Sequence, residues 1–507
     1  MNRKIGVILS YIAMVFEILS TLLLTPFIIR TLGDAEYGVY KLSASVVSYL
    51  LLLDLGIGNA VIRYMAKYRV ANDAENSKKF LAVSTLYYAF IALLVLLLGF
   101  VLIIVFPNVF ATGLTIEETA LGQQLLVITV INAAITLGTS GYANVIIAYE
   151  KFAVSKGVSI FSVILKIIFT YFMLRIGFGS LGIVYVNLFL TIITRLFYVC
   201  YVLFILKLKP RFRNISFVFI KEVMGYSSLI LLQMVATHLN SSVDQILLGT
   251  MVSGSAVIIG IYSIGNQIVQ YFQSIGSAFT GVIMPGVVKM VENSSKPEQL
   301  CDEMIRVGRI IFMVLSFVWI CFLLYGKQFI MLWVGKGYDD AFVVACVLML
   351  AYIFILTESI GSQILWAKNQ HKEQAILKLL IVSLNVILTI FLIRWKPLVG
   401  ATIGTFISLV LGDVVVMNII FKKKIGISLR QYYIGLLKGV FPCLIISAVG
   451  GYLFSWIGLS GWFGFVINIS VMIGIYCICM LLFGLNHYEK KLVGSIFNKI
   501  FKRRKIS

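Results

Sequence analysis

Residues 81–106 read LAVSTLYYAFIALLVLLLGFVLIIVF, a segment without one charged side chain. A helix needs about 20 apolar residues to cross the hydrocarbon core of a bilayer, so this segment predicts a transmembrane helix. Comparable apolar runs, bounded by charges or turn residues, recur along the whole chain. We count about fourteen predicted spans, at 8–29, 39–61, 81–106, 123–147, 157–175, 181–206, 224–248, 257–284, 308–325, 341–365, 376–394, 399–421, 434–455 and 462–484.

The composition agrees with this count. Of the 507 residues, 60% are hydrophobic and only 12% are charged, and the mean hydropathy is +1.01. Soluble domains are about half apolar and a quarter charged, so water-soluble domains are excluded. Only helices and closed barrels satisfy the backbone in lipid, and the alternating pattern of barrel strands is absent. The predicted fold class is therefore an all-α polytopic membrane protein.

The positive charges lie mostly on one side of the predicted spans. The net charge is +21, and 31 of the 42 Lys and Arg residues lie at the termini or in loops after even-numbered spans. The loops after odd-numbered spans hold six. Cytoplasmic loops are enriched in Lys and Arg, so both termini are predicted to be cytoplasmic. The membrane accounts for the basic charge, and nucleic acid is not a predicted partner.

The two halves of the chain resemble each other. Tyr37-Gly38-Val39-Tyr40 matches Ile259-Gly260-Ile261-Tyr262 at an offset of 222 residues, and Thr170 matches Thr389 at an offset of 219. Such matches occur in the same order along both halves, which indicates an internal repeat. The repeat unit contains six spans, an even number, so both copies enter the membrane from the same side as a parallel repeat.

This repeat predicts two six-helix lobes and an additional helix pair. The predicted N-lobe is 1–210, with spans 1–6, and the predicted C-lobe is 211–425, with spans 7–12. The remainder, 426–507, holds spans 13 and 14 and a basic amphipathic tail. Two such lobes around a central cavity predict a transporter that works by alternating access.

Several polar and charged side chains lie inside predicted spans, where a charge costs roughly 2.5–3.5 kcal/mol and so needs a cavity or a partner. Arg195 and Asp413 are equivalent in the repeat and have opposite charge, so they are candidates for an ion pair between the lobes. The polar faces of spans 7 and 8 either line a wet cavity or join helices by hydrogen bonds. Their principal side chains are Gln233, Asn240, Asn266, Gln267 and Gln270.

The first sixty residues carry three family-like motifs. These are Thr25-Pro-Phe-Ile-Ile-Arg-Thr-Leu-Gly33, Glu36-Tyr-Gly-Val-Tyr40 and Leu53-Asp-Leu-Gly-Ile-Gly-Asn-Ala60. They resemble the opening of the polysaccharide-transporter family, the Wzx-type O-antigen and capsule flippases of the multidrug/oligosaccharidyl-lipid/polysaccharide exporter superfamily. The fourteen spans and the six-plus-six repeat extend the resemblance over essentially the whole chain.

The resemblance implies a non-enzymatic flippase. It would move an undecaprenyl-diphosphate-linked oligosaccharide from the cytoplasmic to the outer leaflet of a bacterial plasma membrane. Membrane lipids and proteins that polymerise the glycan or set its chain length would be the other partners. No cofactor, catalytic residue or metal site is predicted.

Such families carry a cationic central cavity, which offsets the cost of moving a diphosphate through hydrocarbon. The candidate cations of this chain are Arg30, Lys41, Lys166, Arg195 and Lys378. Three acids depart from a purely cationic pattern and are candidates for carrying coupling protons or sodium ions: Glu17, Asp244 and Glu358. The membrane potential is a further possible driving force.

Three other functions stay open at this level. A peptidoglycan-precursor (lipid II) flippase would share the architecture. A drug/cation antiporter of the same superfamily would favour an acidic aromatic pocket and twelve spans. A membrane-embedded glycosyltransferase or polymerase would need a catalytic acid or base in a sizeable outer loop, and the predicted outer loops are short.

Overall fold

The structure is a computed structural model that describes residues 3–212, 242–292, 296–368, 370, 372–491 and 494. All secondary structure in this part of the chain is helical. The helices are α1 Arg3–Leu32, α2 Asp34–Leu50, α3 Ile57–Val70, α4 Ala74–Val109, α5 Ile116–Gly138, α6 Ser140–Ala148, α7 Phe152–Arg175, α8 Gly179–Cys200, α9 242–251, α10 Ser255–Glu292, α11 Pro297–Trp333, α12 Ala341–Thr357, α13 Ser359–Ala367, α14 Lys372–Ile393, α15 Pro397–Leu409, α16 Met417–Lys424, α17 Leu429–Leu437, α18 Val440–Ser455 and α19 Gly461–Cys479. Short 3-10 or π segments follow α2, α8, α15 and α19: Leu51–Asp54, Tyr201–Ile205, Val410–Val416 and Met480–Gly484.

The helices confirm an all-α polytopic membrane protein. Within the described residues, eleven helical stretches are long and apolar enough to cross a bilayer, and the bent pair α12–α13 makes a twelfth. The predicted eighth span lies within α10. The predicted seventh span, 224–248, lies mostly outside the described residues, so the total of fourteen stays a prediction.

The chain forms two compact units. Unit 1 contains Met1–Ile264 and Ala375–Thr405, and unit 2 contains Gly265–Gln374 and Phe406–Ser507. Unit 1 therefore combines the predicted N-lobe with α9, the start of α10, and most of α14 and α15 from the predicted C-lobe, and unit 2 includes the additional helix pair. The lobe boundaries drawn from the sequence stay a prediction.

The internal repeat is visible in two broken helices. The helix α5 ends at Gly138 and is followed after Thr139 by the nine-residue α6. The helix α12 ends at Thr357 and is followed after Glu358 by the nine-residue α13. Both ends of α6 match those of α13 at one offset of 219 residues, from Ser140 to Ser359 and from Ala148 to Ala367. The two copies therefore share a helix break as well as a sequence pattern.

The repeated glycine motifs meet in unit 1. A Cβ atom on Gly38 of α2 would lie 1.7 Å from the carbonyl oxygen of Ala256 in α10, so the two backbones are in direct contact. The equivalent Gly260 lies beside Asp34 and Tyr37 of α2. A side chain larger than hydrogen at Gly38 would force these helices apart.

The remaining residues of the opening motifs shape helix ends. Gly33 has φ +78°, which allows the sharp turn between α1 and α2. Glu36 accepts a hydrogen bond of 2.6 Å from the backbone N–H of Ser180 and so caps the first turn of α8. Asp54 accepts one of 2.9 Å from Tyr88 and also bonds the backbone N–H groups of Gly56 and Gly58 at the start of α3. The motifs therefore have clear structural roles.

A buried arginine joins four segments of unit 2. Arg309 of α11 donates to Glu489 at 2.7 Å and to the carbonyl oxygens of Gly435 at 2.9 Å, Lys438 at 2.5 Å and Gly484 at 2.6 Å. Both charged side chains are only 5% exposed. The three carbonyls lie where helical segments end, so the guanidinium satisfies acceptors that the helices leave unpaired.

Replacing Gly38 with alanine should destabilise the protein, because overpacking a tight contact costs about 1–3 kcal/mol. We expect a lower unfolding temperature for purified G38A in detergent. The matched control is Gly157→Ala in α7, where a Cβ would meet nothing within 4 Å. That change should be neutral or stabilising by up to about 1 kcal/mol. Equal effects of the two substitutions would contradict the backbone contact.

Replacing Glu489 with leucine should cost about 3–5 kcal/mol of unfolding free energy, because it leaves the buried Arg309 charge without a counter-ion. The control is Glu303→Leu, which breaks the exposed pair with Arg306 at 3.2 Å. An exposed pair contributes about 0–1 kcal/mol, so that loss should be small. Denaturant unfolding of the two variants measures the difference in unfolding free energy. Similar losses would contradict the role of Glu489 as the buried counter-ion of Arg309.

Candidate functional site

A polar cavity of about 180 Å³ lies in unit 1, among α1, α2, α7 and α8. It brings together three residues that the sequence singled out separately, Glu17, Lys41 and Lys166. Ser20, Thr21, Thr25, Tyr37, Tyr40 and Thr170 supply the other polar groups of the wall. At ~30 Å³ for each water molecule, the cavity has room for roughly six waters or a small polar group.

The charges of the cavity are predominantly positive. The Nζ atom of Lys41 lies 5.3 Å from the ring centroid of Tyr37 and 5.9 Å from that of Tyr40, close enough for a cation–π interaction. Lys41 and Lys166 repel each other, and Glu17 attracts Lys166. Two ammonium groups against one carboxylate favour an anionic ligand.

Two more polar groups of this cavity differ in their hydrogen bonding. Tyr40 is hydrogen-bonded to Asn187 of α8. Thr170 is fully buried, and its hydroxyl has no hydrogen-bond partner among the described residues. A buried hydroxyl without a partner is uncommon, because leaving one costs free energy. It lies one helical turn after Lys166, so a group that binds the lysine would also reach this hydroxyl.

A second polar cluster in unit 1 surrounds Asp244, which is 1% exposed. Its carboxylate accepts hydrogen bonds from Tyr262 at 2.5 Å, Thr405 at 2.6 Å and Thr389 at 3.4 Å. The side-chain oxygen of Asn385 lies 2.9 Å from the Thr389 hydroxyl and 3.1 Å from that of Thr405. Oxygen atoms from α10, α14 and α15 therefore converge around one buried carboxylate of α9.

The cavity and the Asp244 cluster are equivalent sites of the internal repeat. Five pairs of polar side chains in or beside the two sites stand at offsets of 218–222 residues. The pairs are Ser20 with Ser242, Tyr40 with Tyr262, Lys166 with Asn385, Thr170 with Thr389 and Asn187 with Thr405. Asp244 itself corresponds to Leu22. The same framework thus carries lysine in the first copy and aspartate in the second, which suits an anion in one and a cation in the other.

The other predicted cations do not line the cavity. Arg30 is exposed at the end of α1, Arg195 is half-buried on α8 beside Tyr198, and Lys378 lies in the first turns of α14. Asp413 is buried in the π segment before α16, and its predicted pairing with Arg195 stays a prediction. The roles assigned to all these residues from the sequence are likewise still predictions.

The predicted polar stripes are only partly described. Gln233 and Asn240 lie outside the described residues. On α10, Gln267 is buried and donates to the Tyr271 hydroxyl at 2.7 Å, Asn266 is half-buried and Gln270 is exposed. Glu358, the third predicted coupling acid, is buried in unit 2 where α12 ends.

Sequence reasoning missed the side chains whose oxygen atoms surround Asp244. Tyr262 and Thr389 appeared only as repeat matches, and Asn385 and Thr405 were not singled out. The signal was available in the repeat offsets, because Lys166 plus 219 gives Asn385 and Asn187 plus 218 gives Thr405. Once Lys166 is a candidate, its counterpart in the other copy is a candidate too.

Comparison with known proteins gives a family and a fold. A family model described as polysaccharide biosynthesis protein matches residues 4–291, more than half of the chain. No curated protein matches the chain by sequence. Among solved structures, the chain resembles the lipid II flippase MurJ in an inward closed conformation, with a TM-score of 0.72 and 16% identity. The match covers 98% of this chain and 99% of that one.

Two further neighbours are transporters of the MOP superfamily. An inward-facing multidrug resistance MATE family transporter gives a TM-score of 0.65 and 18% identity, over 80% of this chain and 94% of that one. A MOP superfamily transporter from Pyrococcus furiosus gives a TM-score of 0.53 and 18% identity, over 83% of this chain and 94% of that one. At these identities the likeness establishes a shared fold.

Proposed function

We propose that this chain, which belongs to the polysaccharide biosynthesis protein family, translocates an undecaprenyl-diphosphate-linked oligosaccharide across the bacterial plasma membrane. Both termini lie in the cytoplasm, and the substrate moves from the inner to the outer leaflet by alternating access. Glycan polymerase and chain-length proteins receive the product. The chain performs no covalent chemistry on the substrate.

The cavity with Lys41 and Lys166 is the observation that carries this proposal. A diphosphate has oxygen acceptors that match ammonium and hydroxyl donors, and charge-assisted hydrogen bonds are stronger than neutral ones. Lys41, Lys166 and Thr170 supply such donors inside a membrane-spanning unit. A fixed positive site offsets part of the cost of taking the phosphates out of water. The sugars follow the polar face of α10, and the prenyl chain stays in lipid.

A lipid II flippase is the second candidate, and the similarity to MurJ over nearly the whole chain favours it. Both candidates move a prenyl diphosphate, so the cavity chemistry does not separate them. A complementation experiment separates the two candidates: the essential lipid II flippase of a host cell is depleted while this chain is expressed in its place. Growth after replacement would favour lipid II, whereas loss of surface glycan on deletion without loss of viability favours the oligosaccharide.

A drug/cation antiporter is disfavoured by the same cavity. Organic cations bind to acidic and aromatic pockets, and two lysines beside Tyr37 and Tyr40 would repel them. Within the cavity only Glu17 offers a negative charge, and it faces Lys166.

The Asp244 cluster supplies the coupling ion in this proposal. Carboxylate, amide and hydroxyl oxygens are the ligands that hard cations prefer. A sodium ion among Asp244, Asn385, Thr389 and Thr405 would neutralise a buried carboxylate that forms no ion pair within the described residues. A proton on Asp244 is the alternative carrier, and the two differ in their response to sodium.

Replacing both Lys41 and Lys166 with glutamine should weaken binding of a short-chain isoprenyl diphosphate about a hundredfold or more, since each of the two hydrogen bonds to a charged group contributes about 1.5–3 kcal/mol. Calorimetry on the purified protein in detergent measures this change. In cells, the same variant should accumulate the lipid-linked oligosaccharide and lose surface glycan at normal protein level.

The control for that experiment is Lys79→Gln, which removes a positive charge from the exposed pair with Glu75 at 2.8 Å. It should leave affinity and surface glycan unchanged. Unaltered binding in K41Q/K166Q, or equal weakening in the control, would remove the cavity from the mechanism.

Sodium chloride should raise the unfolding temperature of the wild-type protein relative to choline chloride, because a ligand of the folded state stabilises it by mass action. Asp244→Asn should abolish the difference, and Asp302→Asn, at an exposed acid of α11, should preserve it. A sodium effect that survives in D244N would exclude this cluster as the sodium site. A pH effect that is lost in D244N, without a sodium effect, would assign the proton to Asp244 instead.

A further inference from the structure

Glu358 separates α12 from α13 at a bend of 40°. The equivalent residue of the first repeat is Thr139, between α5 and α6, and its hydroxyl donates to the carbonyl of Ile135 at 2.7 Å. A neutral side chain that bonds its own helix therefore suffices for this kind of break. The carboxyl group of Glu358 requires a different explanation.

Within the described residues, one oxygen atom of this carboxyl group accepts hydrogen bonds and the other does not. Its Oε1 atom accepts hydrogen bonds from the Tyr433 hydroxyl at 2.5 Å and from the Asn418 amide nitrogen at 2.9 Å. Its Oε2 atom is buried without a hydrogen-bond partner among the described residues, and so is the Oδ1 atom of Asn418. Two buried acceptors thus stand without donors on side chains that already bond each other.

The surroundings disfavour a charged carboxylate. Asp413, from the π segment before α16, repels a negative charge on Glu358. The helix α17 contributes Tyr432 and Tyr433, and Tyr432 donates to the Thr357 carbonyl at 3.1 Å. From α11, Cys301 lies near Tyr432. None of the ion pairs found in the described residues includes Glu358, and an unpaired buried charge is strongly destabilising.

One added proton would turn one of these two acceptors into a donor for the other. A protonated Oε2 atom becomes a donor, and the Oδ1 atom of Asn418 is an acceptor on the same amide that donates to Oε1. A carboxylic acid and a primary amide pair in this way through two parallel hydrogen bonds. The pair would tie the bend of α12–α13 to α16, while Tyr433 ties it to α17.

We propose that Glu358 is a proton-binding site of unit 2, and that its proton stabilises the hydrogen bonds that hold the bent pair α12–α13 against α16 and α17. Release transfers the proton to water and leaves a carboxylate that repels Asp413. This repulsion weakens the contacts of α12–α13 with α16 and α17. This site is separate from the Asp244 cluster and from the lysine cavity. Its test involves neither substrate nor sodium, so its failure would leave the proposed translocation standing.

The stability of the full-length protein should fall as the pH rises. In the unfolded chain a glutamate releases its proton near pH 4.3, roughly its usual pKa, whereas the folded state holds the proton to a higher pH. The contribution of this proton to the free energy of unfolding is therefore complete below about pH 4.3 and is lost as the pH rises through the range in which the folded state releases it. One proton increases the unfolding constant by up to about tenfold per pH unit in that window. The Glu358→Gln variant carries a permanent N–H donor and should lack this component.

Unfolding in detergent between about pH 5 and pH 9 measures this component as the difference between wild type and E358Q. The control Asp302→Asn, at an exposed acid, should keep the wild-type slope. Equal slopes in wild type and E358Q would overturn the proposal.

Infrared difference spectroscopy provides a test that needs no stable E358Q. Wild-type protein should show the C=O stretch of a protonated carboxyl group that disappears on alkaline titration. Tyr433→Phe removes a donor to the carboxylate, so in that variant the band should persist to a higher pH. A band that is absent from the wild type, or that Y433F leaves unmoved, would also overturn the proposal.

Discussion

The backbone of α2 touches the backbone of α10 at Gly38, and the rest of unit 1 is arranged around that contact. Gly38 and its repeat counterpart Gly260 allow two helices of opposite copies to approach without side chains between them. Two residues further along each helix comes a tyrosine. Tyr40 enters the lysine cavity and Tyr262 bonds Asp244. One close approach therefore fixes the position of a polar group in both sites.

The internal repeat explains how a single framework holds two opposite charges. A charge within hydrocarbon costs roughly 2.5–3.5 kcal/mol, so it persists only where hydroxyl and amide groups replace water. Both copies provide these groups, through threonine on α7 and α14 and tyrosine on α2 and α10. The sign then depends on few substitutions, with Lys166 against Asn385 and Leu22 against Asp244. In the proposed function, this difference selects a phosphate at the first site and a cation at the second.

Much of the fold was predictable because lipid imposes a simple rule, a helix of about 20 apolar residues for each crossing. The breaks at Thr139 and Glu358 were not predicted, since each lies inside one predicted span, 123–147 or 341–365. Glu17, Lys41 and Lys166 could be recognised because charges inside spans are costly. Their convergence, and the position of Arg30 outside the cavity, depend on helix rotation. A threonine such as Thr405 gives no signal by its own residue type, because threonines in helices commonly bond their own backbone, and only the repeat offset from Asn187 points to it.

The positions of the two sites within unit 1 indicate how the proposed ion and the proposed substrate would influence each other. The lysine cavity is built from α1, α2, α7 and α8, and the Asp244 cluster from α9, α10, α14 and α15. The two groups of helices meet at Gly38 and again where Ser48 and Ser242 share a hydrogen bond of 3.1 Å. A ligand shifts a conformational equilibrium only by its difference in affinity between states. A cation that draws Tyr262, Thr389 and Thr405 toward Asp244 would shift α10. The helix α10 contacts α2, which carries Lys41. Coupling between the two ligands then requires only that this backbone contact differ between the states.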